Sequence, residues 1–458
     1  MKKWLNKLER YLLWLLPVVV FFAYYPVLRL GENEQMNFEL SLPLIWLAIF
    51  GGLSILRLPR IWHSFKTRRF CLLAAFPVFA TLSAIWSANH VRGVLVAGVL
   101  DLVFLGGLNI VSMKLDRQEW WKLAKLHVFA GVCAGIICII QCVLDVAGVG
   151  KEYTLLCAGC GFDVFGFPHP NGLAIEPQFM GNLLIAPAFL SLLFTYNAIK
   201  SKYRKGRVLC STLLSFLIIM SLYICFSRGA IYAFILALIF FVFYQPVWKK
   251  PLFMRVMIFF GISGLAFVGA ILFQGVMAEF STTSEGFAQG IARSIHQISL
   301  GKIDLRQKDE TEMPTEKTEE KEEAIFNGYI EESTDIRLNL NEMALETWKD
   351  APVFGVGLGG AGVALNQKYN YYAKEIIQNQ FLSILLETGV VGSICLLLTF
   401  TGVIMCARRL RAGIAFWTCA IAYIITINFF SGLPNALHIY LISPMLMRLG
   451  DKTKYDKL

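Results

Sequence analysis

The chain has 458 residues, 56% of them hydrophobic and 16% charged, with a mean hydropathy of +0.59 and a net charge of +10. A soluble domain holds about 45–50% apolar residues, so this composition excludes an ordinary soluble enzyme. The positive charge does not indicate nucleic acid, because the basic residues sit in short loops, where they set membrane orientation.

The apolar residues fall in runs of roughly 18–25, long enough to cross a bilayer as helices. A helix satisfies its own backbone polar groups in hydrocarbon. The fold class expected is therefore an all-α polytopic membrane protein of about twelve transmembrane helices.

Lys2, Lys3, Lys7 and Arg10 precede the first expected span, about 11–29. It lacks a small-residue cleavage site and reads as a span rather than a signal peptide. The second, about 38–56, is followed by Arg57, Arg60, Lys66, Arg68 and Arg69. Spans three and four, about 70–88 and 93–111, flank a turn with Asn89 and Arg92. Lys114, Arg117, Lys122 and Lys125 lead into span five, about 124–146. A loop rich in Gly, Pro and Cys, 147–177, precedes span six, about 178–198. Spans seven and eight, about 208–226 and 230–247, meet at Ser227-Arg228-Gly229, and span nine is about 256–276. After the largest loop come spans ten, eleven and twelve, about 380–407, 413–430 and 436–449.

Lysine and arginine crowd the N-terminus, the even-numbered loops and the C-terminal tail, whereas the small loops on the other side hold only Arg29, Arg92, Lys151 and Arg228. The positive-inside rule then places both termini in the cytoplasm and the large loop, between spans nine and ten, outside. The chain divides into a first membrane domain over residues 1–276, an outer loop over 277–378 and a second membrane domain over 379–458. Within the loop, 302–335 is an acidic insert (Asp309, Glu310, Glu312, Glu316, Glu319, Glu320, Glu322, Glu323) too poor in apolar residues to offset its ordering entropy. Ile336, Leu340, Met343, Ala344 and Trp348 then recur at helical spacing, with Asp335 suited to the N-cap and Pro352 to the stop. This predicts an amphipathic helix over 336–350 on the outer membrane surface, with Arg337 in its first turn.

Some polar residues need a reason to sit beside hydrocarbon. Arg228 lies in a very short turn between two apolar runs, as either a snorkelling arginine or an anion site. The segment 166–182 carries Pro168, His169, Pro170, Asn171, Gly172, Glu176, Pro177 and Asn182. Helix capping accounts for Glu176 ahead of Pro177, but less well for the density of polar groups around it. Cys157-x-x-Cys160 near His169 invites a metal or redox reading, yet no second ligand pair follows at zinc-site spacing. Most of the eleven cysteines lie in apolar runs, where cysteine acts as a small hydrophobe, and they give no readable disulfide framework. The glycines at 355, 357, 359, 360 and 362 have neither a preceding βαβ strand nor a following Lys-Ser/Thr, so no Rossmann or P-loop reading is warranted. They read as a sharp loop packed on helices, or as a backbone wall that a substrate approaches closely.

Together these pieces resemble the superfamily of O-antigen ligases and O-antigen polymerases. The resemblance rests on Ser227-Arg228-Gly229-Ala230 opening a span, then Arg337, Trp348, Pro352 and Gly355-x-Gly357-x-Gly359. It continues through Asn379-Gln380-Phe381-Leu382, Glu387, Gly389 and Gly392, and takes in Pro170-Asn171 and Glu176-Pro177. The resemblance implies a metal-independent, cofactor-free glycosyltransferase of a bacterial cytoplasmic membrane. Its substrate would be an undecaprenyl-diphosphate-linked oligosaccharide, and its partners membrane lipids, a flippase and a chain-length regulator. It implies catalytic roles for Arg228, Arg337, Glu176 and Gln378, and substrate contacts from His169, Asn171, Gly355, Gly357, Gly359 and Asn379. The family often has His-Asn where this chain has Gln378-Asn379, and glutamine exchanges no proton near neutral pH. That departure favours a polymerase of polysaccharide repeat units over a ligase. A flippase is the rival from another class, but it would scatter charges through its spans and show similar halves. An assembly factor without activity is the third reading, and it would tolerate loss of Arg228.

Overall fold

The computed structural model describes residues 2–450 except 31–37, 66, 158, 163–165, 201–204, 245–250, 282–285, 300–302, 304, 306–335, 371–376 and 430–435. In chain order the elements are α1 (Lys2–Val19), β1 (Val27–Leu30), β2 (Phe38–Ser41), α2 (Leu42–Ile55), α3 (Leu58–Ser64), α4 (Thr67–Ser83, with a 3-10 turn Ala84–Trp86), α5 (His90–Ser112) and α6 (Arg117–Val146). Then follow α7 (Lys151–Thr154), α8 (Pro177–Lys200), α9 (Lys205–Ile224), α10 (Arg228–Phe243), α11 (Leu252–Glu279) and α12 (Phe287–Ile298). Next is α13 over residues 336–348. Last come α14 (Ala361–Tyr369), α15 (Gln380–Arg409), α16 (Ile414–Thr426) and α17 (Leu437–Met447).

Among the described residues seven helices are long and apolar enough to cross a membrane: α4 with its 3-10 extension, α5, α6, α8, α9, α11 and α15. The pair α2 and α3, bent by 77° at Leu56-Arg57, raises the number to eight if it forms one span. The helices α10, α16 and α17 are apolar but shorter. Every expected span from the second onward has a helix at its place.

The expected first span, 11–29, is not one helix. The chain is helical from Lys2 to Val19, and Val27–Leu30 then pairs antiparallel with Phe38–Ser41, Val27 opposite Ser41. Pro26, just ahead of β1, pushes Tyr25 toward extended backbone. The bend between α2 and α3 is held by a charged contact at its corner. The fully buried Glu9 accepts from Arg57 Nε at 2.9 Å and from Asn109 Nδ2 at 3.2 Å, and Arg60 also reaches it.

The chain forms two units, residues 1–127 with 338–458 and residues 128–337, and the boundary falls inside α6. These units are not the sequence segments 1–276, 277–378 and 379–458, which separate material inside a bilayer from material outside it. In the first unit α15 packs along α4, and Phe76, Ala80, Ala84, Ala97, Leu100 and Leu358 form a core. The apolar face of α13 is spent on protein: Met343, Ala344 and Trp348 pack with Ala361, Leu365, Ile377 and Leu386. In the second unit α8 is buried along nearly its whole length, and α9 and α10 pack on it. Phe189 packs at a tilt against Phe234 and Phe241, and Phe241 meets Phe259 edge to face. The return helix α12 lies where the sequence suggests only loop. It follows Gly286 and packs on α11 so closely that a Cβ on Gly290 would lie 2.5 Å from the Ala278 Cβ. All but Ile303 and Leu305 of the acidic insert 302–335 lies outside the described residues.

Candidate functional site

Arg228 is the first residue of α10. Ser227 caps that helix, its hydroxyl accepting from Ala230 N at 3.5 Å. This is the N-cap role in which Ser supplies one of the acceptors the helix start lacks. The Arg228 side chain is half-buried. The start of α8 crosses the start of α10 at Gly181, where a Cβ would meet Ala230 Cβ at 2.9 Å and Ser227 Cβ at 3.2 Å. The two polar clusters singled out in the sequence, Arg228 and 166–182, therefore come together in the second unit.

His169 belongs to the strap Gly166-Phe167-Pro168-His169. Its amide donates to the Cys160 carbonyl at 2.9 Å, and its ring stacks on Phe226 at 5.7 Å and 16°. Burial, and then the charge of Arg228, push its imidazole down to about 3, so His169 is neutral beside the arginine. Gln274, fully buried on α11, holds the strap by donating to the Pro168 carbonyl at 3.2 Å. Asn171, fully buried, donates to the carbonyls of Ala174 at 2.6 Å and Leu155 at 3.2 Å, fixing the turn into α8. Gln141 of α6 clasps the same turn through both the amide and the carbonyl of Gly172. Three buried amide oxygens here, Asn171 Oδ1, Asn182 Oδ1 and Gln274 Oε1, have no hydrogen-bond partner among the described residues. Such acceptors call for water or a ligand hydroxyl.

Glu176 is exposed and ends the loop immediately before Pro177. Its carbonyl accepts from Phe179 and Met180, which is the capping geometry, and its carboxylate accepts from Gln178 Nε2 at 2.5 Å. Cys157 and Cys160 are joined in a disulfide that the sequence does not make readable, and it staples the loop ahead of the strap. Among the described residues no group of three or more His, Cys, Asp or Glu is placed to hold a metal ion. Arg337 stands half-buried in the first turn of α13.

The glycine series lies in the first unit and is organised around a break in α15. Gly389, inside that helix, has φ +64°. Into the break the loop donates Val356 N to Leu386 O at 3.0 Å and Gly357 N to Glu387 O at 2.8 Å. Gly355, Gly357 and Gly359 have φ of +70°, +86° and +73°. A Cβ on Gly357 would come within 2.2 Å of the Ser87 Cα, and one on Gly355 within 2.5 Å of the Glu387 carbonyl. Only glycine combines that backbone with that approach. The Glu387 carboxylate accepts from the backbone amides of Gly359 and Ala361 and has Arg92 as a nearby positive charge. Sequence reasoning picks out Glu387 without giving it this partner. The signal is present, since an acid inside an apolar span needs a counterpart. Asn379 caps α15, its Oδ1 accepting from Leu382 N at 3.1 Å. Gln378, half-buried beside it, has an Oε1 with no partner among the described residues.

No curated protein matches the chain. Its stretch from 213 to 397 matches the family model described as O-antigen ligase, which takes in Arg228, Arg337, the glycine series, Gln378 and Glu387 and stops short of His169, Asn171 and Glu176. This is a multi-pass membrane protein whose residues 213–397 are similar to the O-antigen ligase family.

Proposed function

We propose that the protein polymerises the repeat units of a cell-surface polysaccharide from undecaprenyl-diphosphate-linked oligosaccharides. The reaction takes place on the outer face of a bacterial cytoplasmic membrane, with twelve spans and both termini in the cytoplasm. A membrane protein with this family's domain acts in glycan transfer on lipid-linked substrates. The observation that carries the reading is Arg228: an arginine at the first position of a capped helix, beside a neutral histidine, inside the matched stretch.

The chemistry follows from those residues. The anomeric C–O bond of the donor breaks, and its electron pair goes to the lipid diphosphate. A new bond forms from the anomeric carbon to an acceptor hydroxyl oxygen, which gives up its proton. Negative charge grows on the leaving diphosphate, so preorganised cations lower the barrier. Arg228 and Arg337 supply them, since a planar fork that stays charged suits phosphate oxygens. Neutral His169 adds no competing charge and offers a ring nitrogen for hydrogen bonding. Asn171 and the other buried amide oxygens receive sugar hydroxyls. Glu176 takes the acceptor's proton, and in the first unit Gln378, Asn379 and the backbone of Gly355, Gly357 and Gly359 are the groups offered to glycan. A flippase that delivers the units and a chain-length regulator are the partners this reading proposes.

Purified protein supplied with lipid-linked repeat units tests the reading. Arg228→Ala and Arg337→Ala should each cut turnover roughly a hundredfold or more, with lysine rescuing only partly because the fork is lost. Near-normal turnover in Arg228→Ala would make that side chain a snorkelling arginine and sink the proposal. The matched family's description favours a second reading, ligase-type transfer of the glycan to a lipid or cell-wall acceptor. The product separates the two: a polymerase yields a ladder of repeat units from donor alone, and a ligase yields nothing until its acceptor is added.

A further inference from the structure

In the first unit the end of α3, the start of α4 and the end of α15 meet at one membrane face. The helices α4 and α15 run antiparallel, and their contacts step along both. Phe76 N donates to Thr399 Oγ1 at 3.1 Å, and a Cβ on Gly402 would lie 3.0 Å from Leu73 N. Cys406 then lies in the field of Arg69 and Arg409, and Arg409 Nη1 donates to the Ser64 carbonyl at 3.2 Å. Arg69 therefore stands across from Cys406, and Arg409 follows one turn on, a rise of about 4.5 Å. The charge here is unbalanced. No aspartate or glutamate occurs between residues 40 and 100 or between 388 and 450. Glu9 reaches α3, but Arg57 and Arg60 take it up. Among the described residues Arg68, Arg69, Arg408, Arg409 and Arg411 are in no ion pair. Arg69 is half-buried, and its Nη1 is buried with no hydrogen-bond partner among the described residues. A buried donor of a charged group left without an acceptor is costly. The rim marks the depth. Exposed Trp62 meets Phe70 edge to face at 4.9 Å, as tryptophan does where hydrocarbon gives way to headgroups. Ile404, one turn before Arg408, is exposed and carries α15 on toward hydrocarbon.

We propose that this face is a binding site for the headgroup of an anionic glycerophospholipid. Its phosphate accepts from Arg69 Nη1, Arg408 and Arg409 add positive charge alongside, and its acyl chains lie on the exposed apolar face of α4 and α15. The site stands independently of the glycan-transfer reading. Arginine suits phosphate oxygens through its fork, and basic pockets between spanning helices attract anionic headgroups. A zwitterionic lipid brings a cation as well as a phosphate, and neither segment holds an acid to receive it. The site therefore prefers phosphatidylglycerol to phosphatidylcholine.

The test titrates the full chain in detergent micelles with phosphatidylglycerol or phosphatidylcholine at about 0.15 M salt, where diffuse surface attraction is screened. Native mass spectrometry counts the bound lipid. Wild type should bind phosphatidylglycerol roughly tenfold more tightly than phosphatidylcholine. Arg69→Gln should raise the Kd for phosphatidylglycerol roughly tenfold, and Arg69→Lys should recover part of the loss. Arg411→Gln removes the same charge from an exposed position and should change the Kd by less than about threefold. A second measurement uses the unmodified protein, so that it does not depend on how Arg69→Gln folds. Phosphatidylglycerol with a photoreactive acyl chain should label peptides from the start of α4 and the end of α15 more heavily than its phosphatidylcholine counterpart. Equal binding of the two lipids, or equal losses in Arg69→Gln and Arg411→Gln, would reduce the face to diffuse attraction and overturn the site. Displacement of the lipid by inorganic phosphate would make it a site for free anions and overturn the lipid assignment.

Discussion

Glu176 caps α8 with its main chain, while its carboxylate is exposed and takes a hydrogen bond from Gln178. Glu176→Gln keeps the cap and an oxygen for Gln178, and removes only the base. If Glu176 takes the acceptor's proton, turnover should fall about 10²–10⁴-fold with donor affinity unchanged. A wild-type rate would leave the cap as its whole role and pass the proton to a diphosphate oxygen or water. His169 gives a prediction about pH. In the unfolded chain its imidazole binds a proton below its ordinary value of 6.5, and in the folded protein only below about 3. The unfolded state thus binds more protons between those values. Stability from His169 is complete above 6.5 and lost as pH falls toward 3. The thermal midpoint should drop through that window, and His169→Gln should flatten the drop; an equally steep acid limb in the variant would refute the assignment. Arg228 is legible in the sequence because an arginine between apolar runs demands an explanation. The partners of Glu387 are not, because backbone amides of a distant loop supply them and no side-chain pattern announces those.

Among the elements, the glycine loop and the break in α15 define each other. Gly357→Ala would place a methyl group on the Ser87 backbone at φ +86°. Backbone strain and overpacking together should cost roughly 2–6 kcal/mol, enough to lower the thermal midpoint sharply and the yield of folded protein with it. Gly362, five residues further on, sits in α14 with nothing within 4 Å of its Cβ position. There Gly362→Ala should be neutral or stabilise by up to about 1 kcal/mol. Parallel unfolding scans compare the two, and equal midpoints would show that the loop does not pack as described. The apolar runs make α4, α5, α6, α8, α9, α11 and α15 legible, because a span must be one long helix. The first span is misplaced because an apolar run alone does not show that the helix ends at Val19 and that Val27–Leu30 pairs with Phe38–Ser41. The helix α12 escapes notice although Ile291, Ile295 and Ile298 follow Gly286 at helical spacing, because it lies in a stretch that reads as loop. The pattern of α13 names its apolar stripe and not what covers it. An apolar helical stripe says that something covers it, and here α14 and α15 do.

For the whole molecule, the orientation proposed from lysine and arginine has a second support in the 147–176 loop. A disulfide joins Cys157 to Cys160 there, and disulfides persist in oxidising compartments rather than in the cytosol. The positive-inside argument places the same loop outside, on the side of the large loop that follows α11. The two arguments are independent, one resting on basic residues in other loops and the other on redox chemistry. Single cysteines in an otherwise cysteine-free chain test them together. Lys205→Cys lies at the exposed start of α9, and Thr315→Cys lies in the acidic insert outside the described residues. A membrane-impermeant maleimide applied to intact cells should label position 315 at once and position 205 only after permeabilisation. In the unmodified protein the same reagent should label Cys157 and Cys160 from outside only once a reductant is added. Labelling of position 205 in intact cells would invert the chain. Arg228, His169 and the diphosphate site would then face the cytoplasm, where the same arginines would meet newly made lipid-linked units before their export rather than after it.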